Sequence, residues 1–390
     1  MKLKRLPEDF QVEERTAFAA EGTGDFALYR LTKRGIGTLE ALEAVGERWN
    51  VSRSRISFGG LKDRHALTHQ HVTIFRGPKR DLRQTSFSLE YLGQATRCFT
   101  AQDNLGNRFR VVMRSLSATE ERSALEALAE ASRDGIPNYF DDQRFGSLGE
   151  SGEHVAQPWI AGDYERTLWL GFAEPNPMDR PEDREEKRIL REHWGDWATA
   201  KAKLARSHRR SIVTFLADRP GDFKGALAPV RHDLKSLWLA AFQSHLYNHV
   251  LGAFLRERVA PERLVEVDLK AGARPFFTAL TDDERRGMEG VLLPLPSSRV
   301  RVDEGPVKDL VVRALAELGL TLRQVNVKHP RGSFFTRGWR APVVALEGLE
   351  HEEGDDDLYR GRRRMTLSFA LPRGSYATIL VKRLTDVPRR

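Results

Sequence analysis

Hydrophobic and polar positions alternate in short runs through the first third of the chain. Asp9-Phe10-Gln11-Val12-Glu13 and Asp25-Phe26-Ala27-Leu28-Tyr29-Arg30-Leu31 read as strands, as do residues 56–58, 71–75, 87–91 and 109–113. Lys33-Arg34-Gly35-Ile36-Gly37 reads as a turn. From Thr38 the period changes. Leu39, Leu42 and Val45 share one face of a helix running to Trp49, with Thr38 as its cap. Residues 118–132 form a second amphipathic helix. After Arg144-Phe145-Gly146 the pattern shifts. Residues 147–163 are rich in Gly, Ser and Pro and mark a boundary, and residues 181–208 are helical and dense in charge. Trp238, Phe242, Leu246, Val250 and Phe254 recur every four residues and predict a long core-facing helix. Residues 307–318 form another helix. Strands return at 343–346, 365–369 and 378–381, with an acidic turn at 350–357. The order is strand-rich, helix-rich, strand-rich. It predicts an α/β (α+β) protein in which a helix-rich domain interrupts one sheet domain.

Composition narrows the function classes. The 390 residues carry 63 Lys and Arg against 55 Asp and Glu, a net charge of +8. That excess points mildly to an acidic partner such as nucleic acid. A single cysteine, Cys98, excludes a disulfide framework and a cysteine-based zinc cluster, and fits a reducing cytoplasm. The first residues are charged and lack the apolar run of a signal peptide, and no stretch reaches the ~18 apolar residues of a membrane span.

Three clusters carry candidate chemistry. In Gly59-Gly60-Leu61-Lys62-Asp63-Arg64-His65, two glycines allow a tight turn or a close approach, and Asp63 stands between two cations that favour its ionised form. Such a carboxylate can act as nucleophile or base; an exposed loop Asp has the same local sequence. His65, His69 and His71 lack the helical context and the following Glu of a zinc motif, so no metal is expected. Asn138-Tyr139-Phe140-Asp141-Asp142-Gln143-Arg144-Phe145-Gly146 interleaves aromatics with amide and guanidinium groups. That mixture suits a splayed base, or a packed connection. Leu371-Pro372-Arg373-Gly374-Ser375-Tyr376 presents a tyrosine after a turn. Arg206–Arg210 and Arg360–Arg364 are basic runs able to contact phosphate or simply to face solvent.

Together these stretches resemble the TruD family of tRNA pseudouridine synthases. The resemblance is carried in order by Glu8–Glu14, Gly60–Gln70, Asn138–Gly146, Ala241-Phe242-Gln243-Ser244-His245-Leu246-Tyr247-Asn248 and Leu371–Thr378. It implies a discontinuous catalytic domain with a mixed, largely antiparallel sheet, formed by residues 1–157 and 339–390. An inserted α/β TRUD domain would fill 158–338. It also implies a cytoplasmic monomer that isomerises uridine to pseudouridine at position 13 of tRNA, using neither cofactor nor metal. Asp63 matches the family's nucleophile by its Lys-Asp context. Phe10, Asn138, Phe140 and Tyr376 match positions lining a nucleotide flipped into an aromatic pocket. Lys62 joins the substrate-binding set, either as a partner of Asp63 or as a holder of the turn. Glu14 is read as a partner to a basic group or as a surface strand residue. Tyr376 stands where the family often has Phe, and Asp141 where Gly is common, which raises whether that backbone needs a positive φ. The rival readings are a non-catalytic RNA-binding protein or RNA chaperone on the same fold, and a pseudouridine synthase acting on another RNA. Basic side chains are expected around Asp63, with Glu352, Glu353 and Asp355 to Asp357 kept away from it.

Overall fold

The computed structural model describes residues 1–387. They form two compact units: one joins Met1–Ile136 to the segment from Val343 onward, and the other spans Pro137–Pro342. In this division the Asn138–Gly146 stretch falls in the second unit, ahead of the Gly/Ser/Pro-rich segment from which the sequence boundary at 157/158 is read.

The first unit is built on a nine-stranded sheet. Its strands are β1 (Phe10–Thr16), β2 (Phe26–Arg34), β3 (Ile56–Phe58), β4 (Leu67–Phe75), β5 (Leu82–Arg83), β6 (Phe87–Ala95), β7 (Asn104–Leu116), β8 (Glu347–Asp355) and β9 (Arg363–Pro372). Their order is β8-β9-β7-β1-β4-β2-β6-β5, with β3 also on β4. All ladders are antiparallel except β1 with β4. Helix α1 (Thr38–Trp49) buries Ala41, Leu42 and Val45 against Tyr29, Leu31, Val72 and Ile74. Helix α2 (Ala118–Asp134) starts in a capping box of Ser117 and Glu120.

Four local expectations change. Gly37, not Thr38, occupies the cap of α1; the buried Thr38 hydroxyl instead donates to Gln70 Oε1 at 3.0 Å and accepts from the Lys62 N–H at 3.1 Å. β2 runs on through Lys33 and Arg34, read as a turn, because Lys33 pairs with Thr68 on one side and Phe87 on the other. The acidic turn is β8, an edge strand. Asp355 stands opposite Arg363 and pairs with it at 2.8 Å, and the charges that disfavour an inner strand suit an edge. Residues 378–381 belong to a helix, Ala377–Thr385, rather than a strand. Thr378, Ile379 and Val381 favour a pleated neighbour, but here Ile379, Leu380 and Leu384 are buried as this helix packs on α2.

The second unit centres on a long helix, His232–Arg258, whose Trp238, Phe242, Leu246, Val250 and Phe254 are buried as their spacing predicts. It ends just before Pro261. Shorter helices and two-stranded ladders such as Leu264–Val267 with Arg274–Phe277 surround it. Among the described residues no helix is long and apolar enough to cross a membrane. Both basic runs are largely spent within the protein. Arg209 pairs with Asp183 and Glu186, Arg210 donates to the Lys201 carbonyl, and Arg362, Arg363 and Arg364 reach Ser115, Glu121 and Asp357.

Candidate active site

Asp63 lies in the turn between β3 and β4, and the sheet explains why the turn emerges there. β1 runs beside β4 only as far as Glu13, opposite His69; β3 takes over the same edge from Phe58, opposite Val72. Between them the His71 N–H has no strand to pair with. Glu14 fills the gap: its Oε2 accepts from that N–H at 2.8 Å, and its Oε1 accepts from Asn104 Nδ2 at 3.0 Å. Lys62 Nζ lies 3.1 Å from the same carboxylate and donates to Asn107 Oδ1 at 2.6 Å. The Glu14 side chain is 0% exposed and that of Lys62 is 7% exposed, so this is a buried ion pair with hydrogen bonds on both members. Burial pushes the Glu14 carboxyl up, but His71 and Lys62 outweigh it and hold it below the ordinary carboxylate value. Burial likewise draws the Lys62 ammonium down, opposed by the Glu14 charge. Glu14 is therefore no surface residue, and Lys62 ties the turn to Glu14 and Asn107. Gly59 is required by this packing: a Cβ there would come within 2.8 Å of the Phe99 ring and 3.0 Å of Glu14 Oε1.

Lys4 contacts the Asp63 side chain. Its ammonium donates to Asp63 Oδ2 and lies 4.3 Å from the centre of the Phe10 ring. Asp63 Oδ1 accepts from the His65 N–H at 2.9 Å. A contacting ammonium and an N–H donor both favour the carboxylate form of an Asp side chain. Lys4 adopts φ 51, a left-handed conformation that costs a β-carbon-bearing residue about 1 kcal/mol or more. Its segment is clamped on either side. Lys2 exchanges two backbone hydrogen bonds with Arg114, at 2.8 and 2.9 Å, and Asp9 caps the Leu6 N–H while pairing with the Arg114 guanidinium. Arg114, 4% exposed, also holds Asp356 and Asp357, so two of the acidic tail residues are tied up there. Phe10, 4% exposed, packs edge-on against Phe109 at 6.3 Å. Lys33 donates to the Asp63 carbonyl at 2.6 Å. Asp63 thus sits among Lys4, Lys33 and Lys62, with Arg64 turned to Glu40 at 2.9 Å. Tyr376, partly exposed, follows the turn after β9 and precedes the helix Ala377–Thr385.

Asn138 and Phe140 belong to the second unit, where the long helix supports them. Asn248, 1% exposed, accepts from the Phe140 N–H and donates to the Phe140 carbonyl, both at 2.8 Å. Tyr247 meets the Phe140 ring edge-on at 5.4 Å, and the Arg340 guanidinium lies 4.2 Å from its centre. Arg340 Nη2 donates to Asn138 Oδ1 at 2.6 Å, and Asn138 Nδ2 donates to the Ala341 carbonyl at 2.8 Å. Arg144 Nε donates to Ser244 at 3.2 Å. The Ser244–Asn248 part of the helical motif is thus the bracket for the Asn138–Arg144 stretch. Asp141 has φ −92, ordinary for any residue, so no glycine is needed at that position. Asn248→Ala removes both hydrogen bonds to the Phe140 peptide and should cost about 2–3 kcal/mol, read as a lowered thermal midpoint with a cooperative transition.

Lys4, Lys33, Asn248 and Arg340 are absent from the sequence-based set. Lys4 lies in a charged terminus that reads as solvated, and its partner is 59 residues away. Asn248 stood in a quoted motif with no role attached to it.

The family model of tRNA pseudouridine synthase D (TruD) matches residues 1–384. A protein of Methanocaldococcus jannaschii described as a probable tRNA pseudouridine synthase D 2 is 30% identical over 391 residues, covering 98% of this chain and 91% of its own length. The tRNA pseudouridine synthase D of Leptospira interrogans is 28% identical over 397 residues, covering 98% and 95%. The crystal structure of a Methanosarcina mazei protein assigned as TruD matches 99% of this chain and 93% of its own, with a TM-score of 0.71 and 25% identity.

Proposed function

The chain belongs to the tRNA pseudouridine synthase D family of RNA-modifying isomerases, and on that premise we propose that it converts uridine 13 of tRNA to pseudouridine with Asp63 as nucleophile. The observation that carries this reading is the Asp63 carboxylate itself: one oxygen on the Lys4 ammonium, the other on the His65 N–H, in a turn anchored by a buried ion pair. A carboxylate so held is aimed before substrate arrives.

The reaction moves one base without net loss. The C1′–N1 bond breaks, uracil turns, and C5 bonds to C1′ while the C5 hydrogen leaves and N1 takes a proton. Asp63 forms a transient covalent bond to the nucleotide, which breaks again to return the free carboxylate before product leaves, or its charge offsets the cation developing at the sugar. The uridine must first leave its stack, at a cost of a few kcal/mol. Phe10 and Tyr376 are assigned to the nucleotide, and stacking on an aromatic ring offsets about 1–3 kcal/mol of that cost. Phe140, with a cation beside its ring, is assigned to nucleotide binding as well. Asn138 is bonded to Arg340 and Ala341, which suits it to hold Arg340 beside Phe140. Lys62 serves the substrate only indirectly, by fixing the turn.

Carbodiimide-stop mapping of tRNA incubated with the protein tests the whole reading. A new stop at position 13 is expected, together with release of tritium from 5-labelled uridine. Stops in a different RNA would move the substrate. Salt-sensitive tRNA binding with no stop at all would leave a binding protein only.

A further inference from the structure

β2 carries a stripe of Ala27, Tyr29, Leu31 and Lys33, all 0% exposed. The first three pack as a core face should. A lysine in the fourth place gives up the hydration of its ammonium, a cost that an apolar side chain of equal length avoids. What the ammonium gains is the backbone carbonyl of Asp63, at 2.6 Å. We infer that Lys33 is a positioning residue for the reaction: it fixes the peptide that carries Asp63 and adds a second ammonium to the turn whose carboxylate Lys4 contacts. The inference rests on Asp63 being the nucleophile.

With Lys33, Asp63 is held at three atoms. Lys4 takes Oδ2, the His65 N–H takes Oδ1, and Lys33 takes the main-chain oxygen. The first two orient the carboxylate about its own side-chain bonds. The third limits tilting of the peptide, and tilting moves the carboxylate relative to C1′. A misplacement of about 1 Å is enough to cost an enzyme a hundredfold in rate.

The charge of Lys33 can be separated from its geometry. Burial pulls the ammonium down to about 8; Asp63 opposes this, while Lys62 and Arg64 reinforce it. The residues facing it from β4 and β6, Thr68 and Phe87, carry no charge. Through mildly alkaline pH the ammonium therefore becomes an amine that still donates an N–H to the Asp63 carbonyl. The tether stays and the positive charge leaves.

Single-turnover rates and tRNA affinity of wild type, K33M and K33R, measured between about pH 6.5 and 9.5, test this. The wild-type rate should decline through about pH 8. K33M should be at least about tenfold slower at neutral pH, with tRNA affinity unchanged within about twofold, and should lack that decline. K33R, which keeps a donor and a permanent charge, should recover part of the rate and hold it to the top of the range. A K33M enzyme at wild-type rate, or an alkaline decline shared by all three proteins, overturns the inference. Should K33M fail to fold, the comparison of wild type with K33R still decides, because a purely structural lysine leaves the two profiles alike. Failure of the Asp63 reading shows separately, as a D63N protein that still makes pseudouridine at close to the wild-type rate.

Discussion

Asp63→Asn should abolish pseudouridine formation while tRNA still binds. Asn keeps the shape of the side chain, and its oxygen can still accept from the His65 N–H or from Lys4. It carries no charge and is a poor nucleophile, so the single-turnover rate should fall by at least about 10⁴-fold. Affinity for tRNA should move by less than about threefold, since phosphate contacts supply most of it. The protein should remain folded. The Asp63 and Lys4 side chains are 11% and 21% exposed, and Lys4 keeps the Phe10 ring. Filter binding and a rapid-quench assay on the same preparation give both numbers. Turnover by D63N within tenfold of wild type would take Asp63 out of the nucleophile role.

Acidification should destabilise the protein well above the pH at which its carboxylates titrate. His154 and His245 lie ring to ring in the second unit, 4.5 Å apart, with Phe145 and Phe242 beside His154. His154 is 5% exposed, and the Nδ1 of His245 is buried without a hydrogen-bond partner. Burial pulls His154 down to about 4, with the Arg274 charge assisting. Burial pulls His245 to about 3, with His154, Arg274 and His249 assisting and the Ala271 carbonyl opposing. Below pH 6.5 the unfolded chain takes up protons that the folded pair refuses. The contribution is therefore fully present above pH 6.5 and drains away as pH falls toward 4. From His154 alone it is on the order of 3 kcal/mol, or about 10 °C in thermal midpoint. Calorimetric scans across that window should show the fall, and H154L should remove about half of the slope. A midpoint that stays level from pH 6.5 to 4.5 would rule the pair out as the cause.

The sequence made legible those elements whose pattern and partners are local. The four-residue recurrence from Trp238 to Phe254 needs only one helix to be read, and the capping box at Ser117 and Glu120 needs four residues. Lys33 and residues 350–357 escape a local pattern because their environment is assembled from afar. A lysine before Arg-Gly reads as turn chemistry until Thr68 and Phe87 flank it. Residues 350–357 look too acidic for a strand until Arg363 stands opposite. At the site, the turn bearing Asp63 was visible through its resemblance. Its contact with Lys4 was not. Lys62, adjacent in sequence, pairs with Glu14, and Lys4, across 59 residues, contacts Asp63.

The placement of β9 beside β7 has a consequence during synthesis. β7 ends at Leu116 and its partner begins at Arg363, so the ribosome must make the entire second unit before that edge can close. At about 5–20 residues per second, the delay is roughly 10–50 s. Throughout it, one flank of β7 offers unpaired backbone groups to any passing strand. Arg108, Arg110 and Arg114 of β7 give that strand a repelling charge during the wait. Arg114 later becomes the buried clamp for Asp9, Asp356 and Asp357, two of which arrive only with the last segment. The nascent chain therefore carries its Asp63 turn early, on a sheet that still lacks two strands.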